Sequence, residues 1–269
     1  MQNTVFRCKE RLHSFFIKLF LTLDLYEQIL LMNQSDAIIN PVKGKKAPDL
    51  GHAALMVSSE TDLQTIIRLT DISEDKFKPL MMSRIYVGKD VSLTGPVVSA
   101  PYAVMLLETL IAWGAKRFIF FGWCGAILPD VQIGDIILPA GAFIDEGTSR
   151  HYQGDENEIA HPSSLIVENT REILRNKGIK FHEGTIWTID AIYRETLERV
   201  EYFQAKHVLG VEMELSALFT VAKFRNVDLG GILVVSDELS NFTWKPGFKD
   251  ERFKQSRMTV AEILSEFSW

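Results

Sequence analysis

The strongest constraint on the fold is an alternation of short apolar runs with helix-length amphipathic segments. "AALMVSS" (53–59), "RFIFFG" (117–122), "DIILPAGAFI" (135–144) and "LGGILVVSD" (229–237) have strand length and little polar character. Runs of this kind suit strands covered on both faces, which is the habit of α/β proteins. The segments between them read as helices. In "PYAVMLLETLIAWG" (101–114), Val104, Leu107, Leu110 and Ile111 share one face; Pro101 suits the first turn, and Gly114 ends the helix. "ETDLQTIIRLT" predicts a helix after the first strand, and "DVSLTG" (90–95) predicts a second strand. Further helices are expected near 163–177, 195–204, 214–225 and 250–266, with strands at 181–187 and ending at Val211. The expected fold is α/β, with a central mixed, largely parallel sheet.

No Pro/Gly/Ser-rich linker divides the 269 residues, so one large domain over 32–269 is expected. Ahead of it, "FFIKLFLTLDLYEQILLM" is interrupted by Lys18, Asp24 and Glu27. It is too charged for a membrane span and reads as an amphipathic extension over residues 1–31 that the domain does not need. Met32 would then be an alternative start. A formal net charge of -6 argues against non-specific nucleic-acid binding. Cys8 and Cys124 make no disulfide framework, which fits a reducing, cytoplasmic setting. The six histidines form no metal-ligand spacing, so no metal and no organic cofactor is expected.

Ligands of parallel α/β sheets gather at the carboxyl ends of strands. Three polar clusters fall there: "GWCG" (122–125), "EME" (212–214) and "SDE" (236–238). Each alone has a plain structural reading. The glycines suit a tight turn, the two glutamates suit the first turn of a helix, and Asp237 suits a helix cap.

Taken in order, these clusters resemble the nucleoside phosphorylase superfamily, which includes purine nucleoside phosphorylases, uridine phosphorylases and related nucleosidases. The resemblance runs from about Ala53 to the C-terminus. It is carried by "GWCGAILPDVQIGDIILP", "GVEMELSAL" and "VVSDE", with "DEGTSRHY" (145–152) and "WTIDAIYRET" (187–196) between them. It implies a three-layer α/β/α fold and a homo-oligomer (dimer, trimer or hexamer) with active sites near subunit interfaces. It also implies cleavage of the N-glycosidic bond of a nucleoside. Glu214 then accepts from the ribose 2′- and 3′-hydroxyls, Met213 packs on the sugar, and Glu212 supports them. Asp237 matches the acid that protonates a purine at N7, help worth about 10²–10⁴-fold. Uridine phosphorylases instead read uracil with a glutamine/arginine pair, where this chain has Thr196 and Glu198. Ile192 and Tyr193 match positions lining the base pocket, with core packing as the alternative. Trp123 and Gly125 belong to the Gly-x-x-Gly segment beside the substrate. Glu146, Arg150 and His151 are candidates for the sugar 5′ side or a neighbouring subunit's site.

The phosphate ligands of the family are missing. Ser58 stands at a glycine position and Asp62 at an arginine position of the first turn. Phe120 replaces a second arginine, Trp123 a serine, and "VVSAP" (97–101) a glycine-rich segment. These residues cannot reproduce two guanidinium forks. The expectation is therefore a phosphorylase-like enzyme releasing base and ribose 1-phosphate, with Arg84, Arg150, Arg194 or Lys245 as substitute phosphate donors. The alternative is a nucleosidase using water, activated by Glu60 and Asp62. A third reading is a non-catalytic nucleoside-binding protein.

Overall fold

The computed structural model of the protein describes residues 37–267 except 46, 76 and 154–157. The expected amphipathic extension over 1–31 lies outside the described residues. The chain divides into a unit Met1–Pro41 and a unit Val42–Trp269, and all the strands and helices named below belong to the second. Its strands are β1 (Ala53–Val57), β2 (Phe77–Leu80), β3 (Ser83–Val87), β4 (Val91–Gly95), β5 (Arg117–Ala126), β6 (Ile136–Asp145), β7 (Ile159–Ala160), β8 (His182–Ile189), β9 (Gly210–Glu212), β10 (Asp228–Glu238) and β11 (Lys245–Pro246). Its helices are α1 (Glu60–Arg68), α2 (Ala100–Ala112), α3 (Arg150–Gln153), α4 (Ser164–Asn176), α5 (Leu197–Ala205), α6 (Leu215–Phe224) and α7 (Glu251–Ser265).

The period-two geometry of the central strands sorts their side chains into two layers. Ala54 and Met56 of β1, with Phe118 and Phe120 of β5, face α2 and α6. Their sequence neighbours Leu55, Val57, Ile119 and Phe121 face the other way, onto α1, α4 and α7. Phe118, Phe120 and Phe121 are all fully buried, and each such side chain contributes roughly 1.5–3 kcal/mol. A strand apolar on both faces therefore requires helices on both, and the result is a three-layer α/β/α fold. Gly114 closes α2 at φ +118, a conformation open to glycine.

The sheet runs from its edge as β2–β3–β4–β1–β5. Beyond β5 it closes on itself. β5 pairs in parallel with β10 and antiparallel with β9. β10 meets β6, β6 runs parallel to β8, and β8 runs parallel to β9. These five strands form a ring, and the long pairings within it are parallel.

Two expectations change. The hairpin β2–β3 precedes the strand at 91–95, which is therefore not the second in the chain. Its turn is made by two methionines, with Met81 at φ 55, and lacks the Asn-Gly signal that normally reveals such turns. "GWCG" is not a turn either. β5 continues through it to Ala126, because Trp123, Cys124 and Gly125 pair with β10.

Candidate active site

The carboxyl-terminal half of β5, the short β9, the head of α6 and the end of β10 enclose a cavity of about 680 Å³. Further walls come from Ser58 and Ser59 after β1, Val98 before α2, Ile192, Tyr193 and Glu195, and Trp244 and Phe248. Eight of the ten candidate residues line it: Trp123, Gly125, Ile192, Tyr193, Glu212, Met213, Glu214 and Asp237.

The two opening acids of α6 have different surroundings. Glu212 is buried, and its Oε2 accepts the backbone N–H groups of Glu214 at 2.7 Å and Leu215 at 2.8 Å. Its other oxygen accepts from the Thr188 hydroxyl, which in turn accepts the N–H of Ser216 at 3.0 Å. Glu212 therefore satisfies the free amides at the helix head, a structural task. Glu214 sits at the N-cap position and accepts the Ser99 N–H at 2.5 Å through Oε1. The Ser99 amide thus fixes one edge of this carboxylate at the cavity wall. Burial raises the proton affinity of both carboxyls, and the charge of Glu212 raises Glu214 further.

Asp237 is aimed by a bulge. The β10–β5 register shifts between Val235 and Asp237, so Ser236 is the extra residue and Asp237 pairs with Gly125. A Cβ on Gly125 would stand 2.6 Å from Leu239 and 3.1 Å from the Asp237 carboxylate, so glycine leaves the acid room. The Ser236 hydroxyl donates to Asp237 Oδ1 at 2.6 Å, and the Trp244 indole N–H donates to Oδ2 at 2.9 Å. Cys124 lines the same wall; burial, then the charges of Asp237 and Glu212, hold its thiol well above the usual range.

At the other end of the cavity, Asp62 is buried and fully engaged. Its Oδ1 accepts from Arg257 (Nε at 2.8 Å, Nη2 at 2.6 Å), and its Oδ2 accepts the Trp123 indole N–H at 2.7 Å. The Arg257 guanidinium also lies 4.6 Å over the Trp123 ring and 5.1 Å over Phe253. Desolvation raises the Asp62 carboxyl, opposed by the hydrogen bond and charge of Arg257.

Several expected roles do not fit this arrangement. Asp62 is held in its ion pair, and Glu60 pairs with Arg84 at 2.7 Å; neither lines the cavity to activate water. Arg150 and His151 are exposed on α3 and stand outside the cavity lining. Glu146 is turned inward, accepting from the backbone of Thr148 at 2.5 Å and the Ser216 hydroxyl at 3.1 Å. Thr196 and Glu198 do not reach the lining, nor do Arg84, Arg194 and Lys245. Phe120 is core. Ile192 and Tyr193 are 53% and 96% exposed, so they form the rim of the cavity and not part of the core.

Residues that sequence reasoning missed are Glu195, Trp244 and Phe248. Glu195 lies within "WTIDAIYRET", but nothing in that segment singles it out from the other acids of "RETLERVE". Trp244 and Phe248 carried a weak signal, as aromatics in a polar loop. Among the described residues, no group of three or more metal-binding side chains comes together, and no helix is long and apolar enough to cross a membrane.

A three-layer α/β fold with a carboxylate-lined cavity at its strand ends defines the class, and comparison with known proteins names it. The family model of the phosphorylase superfamily matches residues 52–268, and the chain belongs to that superfamily. Among curated relatives, a guanosine phosphorylase of Halorubrum lacusprofundi is 29% identical over 154 residues, 57% of this chain and 64% of that one. A DeoD-type purine nucleoside phosphorylase of Clostridium novyi is 32% identical over 155 residues, 57% of this chain and 66% of its own length. The match thus spans just under two thirds of the length of these relatives. Among solved structures, an AMP nucleosidase from Bacteroides thetaiotaomicron shares the fold with a TM-score of 0.67 at 22% identity, covering 80% of this chain and 89% of that one.

Proposed function

We propose that this chain cleaves the N-glycosidic bond of a purine nucleoside with water as the nucleophile. The observation that carries this reading is the charge of the cavity. Glu195, Glu212, Glu214 and Asp237 line it, and among the described residues no lysine, arginine or histidine does. In this reading Glu214, fixed by the Ser99 amide, takes the ribose 2′- and 3′-hydroxyls as hydrogen-bond partners. Met213 contacts the sugar, Ile192 and Tyr193 cover the base, and Asp237 serves N7 as the base departs. Carboxylates also stabilise the positive charge that builds on the ribosyl ring as the bond breaks.

The nucleophile follows from magnitudes. At an effective dielectric of about 20, each like-charge pair about 6 Å apart costs roughly 3 kcal/mol. A phosphate dianion in this acidic lining meets that cost from each ionised carboxylate, with no lysine, arginine or histidine of the lining to offset it. Arg257 lies nearby, but its charge is matched by Asp62. Water carries no such penalty, and a ribosyl cation needs only a weak nucleophile. Motif resemblance alone leaned towards phosphate; the lining favours water. Phosphorolysis remains the second reading, supported by the phosphorylases among the curated relatives, and it requires a cation from outside this lining.

The test is incubation with inosine, adenosine, uridine and methylthioadenosine, with and without phosphate. Free ribose (or methylthioribose) released without phosphate is the expected result. A sugar 1-phosphate formed only with phosphate restores phosphorolysis. No base release from any nucleoside favours a binding protein.

A further inference from the structure

We infer that Glu195 and Asp237 work as a pair that carries one proton into the reaction, and that this proton leaves with the purine base. The inference rests on the proposed function and assigns Glu195 a task within it. Both side chains line the one cavity. Their hydrogen bonding differs sharply. Asp237 accepts from the Ser236 hydroxyl through one oxygen and from the Trp244 indole through the other. An indole N–H only donates, so the Asp237 oxygen it holds stays an acceptor. The carboxyl of Glu195, half-buried at the end of the turn Ile192–Arg194, makes no hydrogen bond or ion pair among the described residues.

The other titratable groups of the lining are Cys124 on β5, Tyr193 in the turn before Glu195, Glu212 on β9 and Glu214 at the head of α6. Outside the lining, Arg194 is exposed beside Glu195, and Lys245 of β11 pairs with Glu238, the neighbour of Asp237. No cation belongs to the lining, Glu212 is committed to backbone amides, and one oxygen of Glu214 is held by the Ser99 amide. Two carboxyls facing one such space do not both ionise readily, so one proton is retained between them. Burial first, and the charge of Asp237 second, push the Glu195 carboxyl up to about 7. At and below neutrality the proton of the pair therefore rests on Glu195, and Asp237 is the carboxylate that passes it on to the base.

The step balances without any further reagent. As the bond from C1′ to N9 breaks, its electron pair moves into the purine, and N7 takes the proton of the pair, with Glu195 acting through Asp237. Water bonds to C1′ and releases one proton to solvent. The pair, now two carboxylates in a poorly solvated site, takes a proton back from solvent before the next turnover.

The decisive variant is Glu195→Gln, which keeps shape and polarity but cannot carry the proton. With inosine at pH 7.5, kcat should fall at least tenfold with KM within threefold. The alkaline limb of the pH–kcat profile should move down by one unit or more. With 7-methylinosine, whose N7 already bears a positive charge, turnover should change less than twofold. Equal loss on both substrates, or an unchanged inosine profile, overturns the inference. A second readout needs no turnover. In the protein labelled with ¹³C-carboxyl glutamate, the Glu195 signal, recognised by its loss in Glu195→Gln, should titrate near neutrality and move to lower pH in Asp237→Asn. A Glu195 carboxyl in the ordinary range, or one indifferent to Asp237→Asn, also overturns it. Absence of base release by the wild-type protein would sink the proposed function and leave this titration to decide the pair by itself.

Discussion

Trp123 donates its indole N–H to Asp62 at 2.7 Å while the same indole forms part of the cavity wall. Through this bond, and through Arg257 on the opposite side of Asp62, a region where relatives are expected to hold phosphate becomes a closed ion pair capped by aromatic rings. The aspartate takes the guanidinium that lies over Trp123 in this wall.

Asp62→Ala should therefore be costly to stability. It leaves the half-buried Arg257 without its partner, a change worth up to about 3–5 kcal/mol. In a domain of this size that lowers Tm by roughly 6–20 °C. The double variant Asp62→Leu, Arg257→Met should lose less than Asp62→Ala alone, because no unpaired charge remains. Thermal melts of the variants check this; a loss below about 1 kcal/mol in Asp62→Ala would show that the pair is solvated.

Asp237→Asn removes the carboxylate that passes the proton to the base and keeps its shape. Turnover of a purine nucleoside should fall about 10²–10⁴-fold with little change in KM. Steady-state kinetics on inosine decide the matter, and an unchanged kcat would remove Asp237 from its role.

Ser99 has φ 72 and ψ 146, a region that suits glycine, while its N–H holds Glu214. Such strain costs of order 1–3 kcal/mol. Ser99→Gly should relieve it, offset by roughly 0.5–1 kcal/mol from the freer unfolded chain. The expected net gain is about 1 kcal/mol, a rise in Tm of about 2–4 °C, with turnover within twofold of wild type. A fall in Tm would mean that the surrounding loop, and not the residue type, sets this conformation.

Stability should also depend on pH through Glu195. Its carboxyl is raised in the folded protein from 4.5 to about 7, chiefly by burial. The stability linked to its protonated form is complete below the unfolded value and is lost as pH rises through about 7. Glu195→Gln cannot ionise, so it should melt like wild type at pH 5 and higher than wild type at pH 8. Discounted for partial solvent screening, the difference is about 1 kcal/mol, or roughly 2–4 °C. Identical melting at both values would place Glu195 in free solvent.

Much of the scaffold was legible in local pattern. β1, β6, α2, α6 and α7 lie within a residue or two of their expected positions, because each carries a hydrophobic period that only one secondary structure buries. The hairpin β2–β3 escaped because β2 is mostly exposed and the turn has no turn residues. The extent of β5 escaped because "GWCGA" looks like a turn until β10 pairs with it.

By itself, the sequence determined the layer order, the acids Glu212, Glu214 and Asp237, and the loss of the expected phosphate arginines. These follow from residue type and spacing along the chain. Only the tertiary structure decided what each acid does. It capped a helix with Glu212, bulged β10 to aim Asp237 past Gly125, tied Asp62 to Arg257 across almost two hundred residues, and left Glu195 facing the cavity with no partner among the described residues. The physical reason is that the state of a carboxylate depends on burial and on the donors and charges around it, and those neighbours arrive from distant parts of the chain.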